Sequence, residues 1–296
     1  MKALFVINPA SGRSQDLDRL RLAIDRRCAI SHIEAHSHQC SDKDELDGLI
    51  ASARADGFDT FIAVGGDGTV HELGVRLIGT GLALGILPAG SGNGLARHLG
   101  ISTNPETALE ALASSHTETV DTAAVNGRPY LGVAGVGFDA AVAHRFGLGG
   151  QRGLRTYVRE SALLVRSFEP ERYAIHLPGE RIDTRALLVA VANSNQYGNE
   201  ARIAPKASLR DGMLDVCILE HPPLVLVPML LGRLFIGALR DGPGVTLRRV
   251  PSAIVERETE GPGHLDGEPV SLPGRLEFAI NPASLTVLVP RSDRRI

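Results

Sequence analysis

The segment FIAVGGDGTVHEL limits what this chain can fold into more than any other. A strand predicted over Thr60 to Val64 runs straight into Gly65-Gly66-Asp67-Gly68-Thr69, and then Val70, Leu73 and Leu77 recur at helical spacing. A buried strand passing through glycine into a helix belongs to a parallel sheet covered by helices. Glycines at that turn let backbone N–H groups close on an anion, and the positive end of the helix dipole favours a phosphate there.

The same plan surrounds this segment. Strands are predicted over Lys2 to Ile7, Ile30 to His36 and Leu82 to Leu87. Helical periodicity links Leu17, Leu20 and Ile24, and again Leu46, Leu49, Ile50 and Ala53, with Ser41 and Asp44 spaced as a capping box. Asn104 and Pro105 read as the cap and first residue of a helix carrying Ala108, Leu109 and Leu112. Two further polar loops follow strands: Asn8-Pro9-Ala10-Ser11-Gly12 and Pro88-Ala89-Gly90-Ser91-Gly92-Asn93-Gly94. All three loops fall at strand carboxyl ends, where open α/β sheets bind ligands. One such loop is no more than a turn, but three in phase point to a phosphate site. The P-loop pattern is absent, and Gly90, Gly92 and Gly94 lack the dinucleotide spacing.

From about Asp121 the pattern changes to short β-rich runs: Thr122 to Val125, Tyr130 to Phe138, Arg172 to Leu177, Ala186 to Ala192, Met213 to Leu219, Val245 to Val250, Ala253 to Glu258 and Arg275 to Ile280. Short strands with Gly and Pro turns imply a sandwich. One helix, marked by Leu154, Tyr157, Val158, Ser161, Val165 and Phe168, interrupts them. The boundaries that follow are 1–120 for the α/β domain and 121–283 for the β domain, with Ser284 to Val289 as a strand open to either and 284–296 able to complete the first.

Composition narrows the functional classes. A net charge of −3 gives no basic field for holding nucleic acid. Cys28, Cys40 and Cys217 have no metal-type spacing and suit a reducing compartment, so a cytoplasmic protein is expected. The amino-terminal apolar stretch is too short for a signal-peptide core. The run Pro222 to Leu239 carries three prolines and Arg233, short of a spanning helix. It reads as a packed helix and loop, or as a surface suited to lipid contact.

NPASG, GGDGTVHEL, LPAGSGNGLARHLG, ANSNQYGNEARIAPKASLRDGMLDVCIL and HLDGEPV, in this order, resemble the catalytic domain shared by diacylglycerol, sphingosine and ceramide kinases, and most of all its small bacterial members. The resemblance implies a three-layer α/β domain of the NAD kinase and phosphofructokinase kind, holding ATP, followed by an antiparallel β-sandwich and a lipid cleft between the two. It implies Mg²⁺-dependent transfer of the γ-phosphoryl group to a hydroxyl of diacylglycerol or a sphingoid base, with transient contact at the inner membrane surface. The GGDG loop is shared with NAD kinases and phosphofructokinases, so a kinase for a soluble acceptor is the alternative, as is a non-catalytic binding protein of the same fold.

The same likeness assigns nucleotide contacts to Asn8, Gly65, Gly66, Asp67, Gly68, Thr69, Val70, His71, Glu72, Gly90, Ser91 and Asn93. A contact made by threonine in relatives falls on Cys40 or Ser37 here. The catalytic carboxylates implied are Glu268 and Asp67; relatives differ on which is the general base, and the likeness to the small bacterial type favours Glu268 as base with Asp67 as phosphate or metal organiser, supported by Asp266 and Gly267. Ser208, Asp211 and Met213 correspond to a second, structural Mg²⁺ site built from one carboxylate and two main-chain carbonyls.

Overall fold

A computed structural model gives the fold over residues 1–9, 14–40, 42–149, 168–220 and 227–291. The chain divides into two units, Met1–Val120 with Ala283–Ile296, and Asp121–Pro282.

In the first unit, β1 (Lys2–Ile7), β2 (Glu34–Gln39), β3 (Thr60–Gly65) and β4 (Ala83–Pro88) alternate with helices α1 (Ser14–Ile30), α2 (Leu46–Ala55), α3 (Asp67–Leu77), α4 (Gly94–His98) and α5 (Pro105–Leu112). The strands pair in parallel in the order β2-β1-β3-β4. Because β1 sends its chain to one side and the later strands build to the other, the order reverses between β1 and β3, the kind of position where open sheets leave a crevice. Both faces of the sheet are covered, so β3 and β4 are buried at every position. Phe5, Ile7, Ile62 and Val64 pack on Leu20, Ile24, Leu109 and Leu112, which is the core that the helical periodicity marks.

The second strand starts later than its sequence implies. Residue Ile30 ends α1, and the chain turns through His32 at φ 54, with Ile33 N–H returning to the Cys28 carbonyl. That bond pattern is a Schellman closure, for which glycine is the usual marker. A histidine in its place hid the helix end, and the strand was expected too early. The Ser41 capping position lies outside the described residues; Asp42 accepts the Asp44 N–H at 2.9 Å instead.

In the second unit the strand pairs with an assigned register are antiparallel. The strands are β5 (His116–Val125, entering from the first unit), β6 (Arg128–Tyr130), β7 (Val133–Gly137), β8 (Glu171–Leu177), β9 (Glu180–Ala192), β10 (Leu214–Glu220), β11 (Val245–Val250), β12 (Ser252–Glu256), β13 (Gly261–Leu265), β14 (Glu268–Leu272) and β15 (Arg275–Val289), with helices α6 (Phe138–Gly149) and α7 (Val227–Phe235). Strand β9 pairs with β7, β8 and β10 and is buried on both faces along its second half. Val189 and Val191 face one core with Tyr130, Val136 and Phe278, while Leu188, Ala190 and Ala192 face another with Ile203, Cys217 and Leu230. Two layers of apolar packing follow from strict alternation along one strand.

Three expectations change here. The run Tyr130 to Phe138 is broken at Leu131-Gly132, and Phe138 opens α6. The strands β13 and β14 were not anticipated, because Gly261, Pro262, Gly263 and Pro269 look like loop. The separate strands expected at Arg275 to Ile280 and Ser284 to Val289 are one strand, whose last residues pair in parallel with β4 in the first unit. The helix expected from Leu154 lies almost wholly outside the described residues, as do Ala10, Ser11 and Gly12.

Candidate active site

Three loops of the first unit are bonded to one another at the carboxyl edge of the sheet. Asn8 follows β1, and its Nδ2 donates to Thr69 Oγ1 at 3.0 Å while its backbone N–H reaches the Val64 carbonyl at 3.2 Å. Ala89 N–H donates to the Gly65 carbonyl at 2.9 Å. The Asp67 carboxylate accepts Asn93 N–H on Oδ2 at 2.8 Å and Gly94 N–H on Oδ1 at 2.7 Å. Asp67 is therefore the brace between the GGDGT loop and the GSGNG loop, and two charge-assisted bonds fix their spacing.

Glycine is required where these loops meet. A Cβ at Gly90 would lie 2.4 Å from the Gly66 Cα, and one at Gly92 would lie 2.3 Å from Asp67 Oδ2. The first contact is backbone against backbone and cannot relax by a rotamer change. Gly90→Ala is expected to cost about 1–3 kcal/mol by overpacking. A urea midpoint checks this, and an unchanged midpoint would contradict the close approach.

Helix α3 begins at Asp67 with Gly66 as its cap residue, and no side chain caps it. The positive end of the helix is thus turned toward the three-loop edge without a capping oxygen from its own cap residue. Val70 points into the core, His71 is half-buried and Ser91 is exposed on its loop. The Glu72 carboxylate is held by Arg76, 2.6 Å away at i+4, with Lys43 at 3.7 Å, so its charge is already balanced by protein cations.

Of the two residues considered for the threonine contact, Cys40 lies at the edge and Ser37 does not. Cys40 N–H bonds to the Ile7 carbonyl at 3.0 Å, next to Asn8, whereas Ser37 sits mid-strand opposite Phe5. The Cys40 thiol donates to the Asp42 carbonyl at 3.0 Å, and burial first, then Glu45, pushes its pKa up. A thiol is a weaker donor than a hydroxyl.

In the second unit, Asp266 and Gly267 form the two-residue turn between β13 and β14, at φ 52 and φ 86. Asp-Gly with both φ values positive is the turn that matches strand twist in a hairpin. The Asp266 carboxylate accepts three successive amides, from Leu131 at 2.9 Å, Gly132 at 2.7 Å and Val133 at 3.0 Å. Those bonds turn the chain between β6 and β7 and explain the break in the expected strand. Glu268, the first residue of β14, is partly exposed, and among the described residues its carboxylate takes no hydrogen bond or ion pair from the protein.

Beneath this turn lies a polar group whose members are far apart in the sequence. His264 and Asp139 are 2% and 5% exposed, and His264 Nε2 donates to Asp139 Oδ2 at 3.0 Å. The same oxygen accepts the Tyr197 hydroxyl at 2.8 Å, and Oδ1 accepts Ala140 N–H at 2.8 Å. On its other side the ring presents Nδ1 to Gly267 N–H at 3.4 Å. Gly135 leaves room for this network, since a Cβ there would come within 2.3 Å of Asp139 Oδ2. Asn193, fully buried, donates to the carbonyls of Asp121 and Leu131 at 2.9 and 2.8 Å and so locks the segment that Asp266 also grips. In the sequence, Asn193 and Tyr197 fall in the run ANSNQYGNEARIAPKASLRDGMLDVCIL and His264 in HLDGEPV, but neither motif points to Asp139.

Ser208, Asp211 and Met213 occupy the loop before β10. Asp211 Oδ1 accepts Met213 N–H at 3.2 Å, and Oδ2 lies 3.3 Å from Arg249 Nη1. Gly212 N–H donates to Asp121 Oδ2 at 2.8 Å.

Residues 2–125 match the diacylglycerol kinase catalytic domain, and residues 132–289 match the YegS C-terminal NAD kinase beta sandwich-like domain. A diacylglycerol kinase of Mycobacterium tuberculosis is 34% identical over 256 residues, covering 82% of this chain and 81% of that protein. A protein of Pseudomonas aeruginosa named "Probable lipid kinase YegS-like" is 34% identical over 251 residues, covering 82% of this chain and 80% of its own. Among solved structures, a diacylglycerol kinase of Bacillus anthracis superposes with a TM-score of 0.76 at 21% identity, covering 98% of this chain and 97% of that one. An NAD kinase of Archaeoglobus fulgidus in complex with ATP shares the fold at a TM-score of 0.54 and 14% identity, covering 98% and 94%. The chain belongs to the family of the diacylglycerol kinase catalytic domain with its YegS-type β-sandwich, a family of lipid kinases and hence of phosphotransferases that use an alcohol group as acceptor.

Proposed function

We propose that this chain is an ATP-dependent lipid kinase that moves the γ-phosphoryl group of MgATP to a hydroxyl of a lipid such as diacylglycerol or a sphingoid base. The observation that carries the reading is the bonded set of Asn8, Gly65 to Thr69 and Gly90 to Gly94 at the uncapped start of α3. Backbone amides fixed in this way bind phosphate oxygens with no reorganisation during the reaction. Asp67 organises the two loops from within; both of its oxygens are engaged by amides, which suits bracing better than direct ligation. Asn8, Cys40 and the residues from Val70 to Glu72 border the same loops, and Ser91 and Asn93 belong to them.

Glu268 is the general base in this reading. It takes the proton of the acceptor hydroxyl as that oxygen bonds to the γ-phosphorus, while the bond to the β,γ-bridging oxygen breaks and ADP departs. Mg²⁺ enters as part of the nucleotide substrate and neutralises charge on the phosphate oxygens. Asp266 and Gly267 support Glu268 by fixing the turn from which it projects.

Contact with a bilayer surface fits a lipid acceptor. Among the described residues no helix is long and apolar enough to cross a membrane. Met229, Leu231 and Ile236, on and just after α7, are nevertheless exposed, in keeping with an apolar segment that meets lipid.

The test is incubation with MgATP and vesicles or mixed micelles carrying diacylglycerol, sphingosine or ceramide, with NAD as a soluble acceptor in parallel. A phosphorylated lipid is expected. Transfer to NAD alone, or to no acceptor, would overturn the reading.

A further inference from the structure

The loop from Lys206 to Met213 brings carboxylates together near the start of β10 and must neutralise them. Asp211 lies in the loop and Asp215 follows on the strand. The antiparallel register of β10 and β11 sets Arg249 directly opposite Asp215. From there Arg249 Nε lies 3.3 Å from Asp215 Oδ2, Nη1 lies 3.3 Å from Asp211 Oδ2, and Nη2 donates to the Lys206 carbonyl. One guanidinium therefore ties the loop at both ends and to the strand. We infer that Arg249 fills, in this chain, the role of the structural divalent cation implied at Ser208, Asp211 and Met213.

The donor set fits a metal poorly. Asp211 is the only carboxylate of the implied site, and each of its oxygens already has a partner, Arg249 on one and Met213 N–H on the other. A divalent ion on the Arg249 side would meet a fixed positive charge within a few ångströms. Mg²⁺ also asks for near-octahedral oxygen at about 2.1 Å.

Everything the ion would do, the chain does with its own atoms. The loop is closed by Gly212 N–H on Asp121 Oδ2 at 2.8 Å and by Asp121 N–H on the Leu209 carbonyl at 2.7 Å. The planar fork of arginine serves two carboxylates and a carbonyl at once, which a point charge on a lysine cannot. This inference does not depend on which acceptor the kinase uses.

The experiment follows the thermal midpoint of the nucleotide-free full chain in EDTA and in millimolar Mg²⁺, with NaCl at matched ionic strength as control. Wild type is expected to show no saturable response to Mg²⁺. Arg249→Gln is expected to melt several degrees lower in EDTA and to regain at least half of that loss, saturably, when Mg²⁺ is added. A saturable gain in wild type would overturn the inference. So would an Arg249→Gln midpoint equal to wild type in EDTA, or a loss that Mg²⁺ does not repair. If Arg249→Gln fails to fold, Arg249→Lys keeps one charge and should melt lower than wild type with partial repair by Mg²⁺, and the wild-type titration remains decisive.

Discussion

Glu268→Gln is expected to lower kcat by about 10²–10⁴-fold while leaving the urea midpoint and ATP affinity close to those of wild type. The change keeps size and polarity but removes the ability to accept a proton. Structural cost should be small, because the carboxylate has no protein partner among the described residues and the turn is fixed by Asp266 and Gly267 rather than by Glu268. Asp266→Asn provides the contrast. It weakens three amide bonds, so its first effect should be on stability, with activity falling because the turn loosens. Steady-state kinetics on a lipid acceptor with parallel unfolding curves separate the two, and a Glu268→Gln rate within about threefold of wild type would remove Glu268 from the chemistry.

His264→Leu should be the most damaging single change to the second unit, costing about 3 kcal/mol. The reason is what it leaves behind: Asp139, 5% exposed, loses its 3.0 Å imidazole donor and keeps only the Tyr197 hydroxyl and Ala140 N–H. The double variant His264→Leu/Asp139→Asn removes the stranded charge and is expected to recover at least 1 kcal/mol of that loss. Urea unfolding of wild type, single and double variants measures the difference. A single variant within 1 kcal/mol of wild type would mean that the network contributes little.

The two glycine loops were readable as strand-to-helix turns because that placement is local. Gly65 to Thr69 and Gly90 to Gly94 follow apolar strands in sequence and precede helices. Asp67 was visible as a residue of the loop but not as its brace, since bonds to Asn93 and Gly94 depend on how β3 and β4 pair. The Asp139, Tyr197 and His264 network was illegible for the same reason on a larger scale. Its members come from α6, the segment after β9 and β13, and no spacing in the chain joins them. Strand ends failed where a residue did another's work: His32 took a conformation usually given to glycine, and Pro262 and Pro269 sat in a hairpin edge that composition alone marks as loop.

The continuity of β15 has a consequence for synthesis. The first unit borders β4 with Thr286 and Val287, residues that leave the ribosome after the whole second unit. Until they arrive, the nascent α/β layer exposes the unpaired backbone of β4, an invitation to wrong partners. Completion of the α/β unit therefore waits on residues translated after the whole second unit, and a ribosome stalled early in β15 would hold a chain whose first unit is still unfinished.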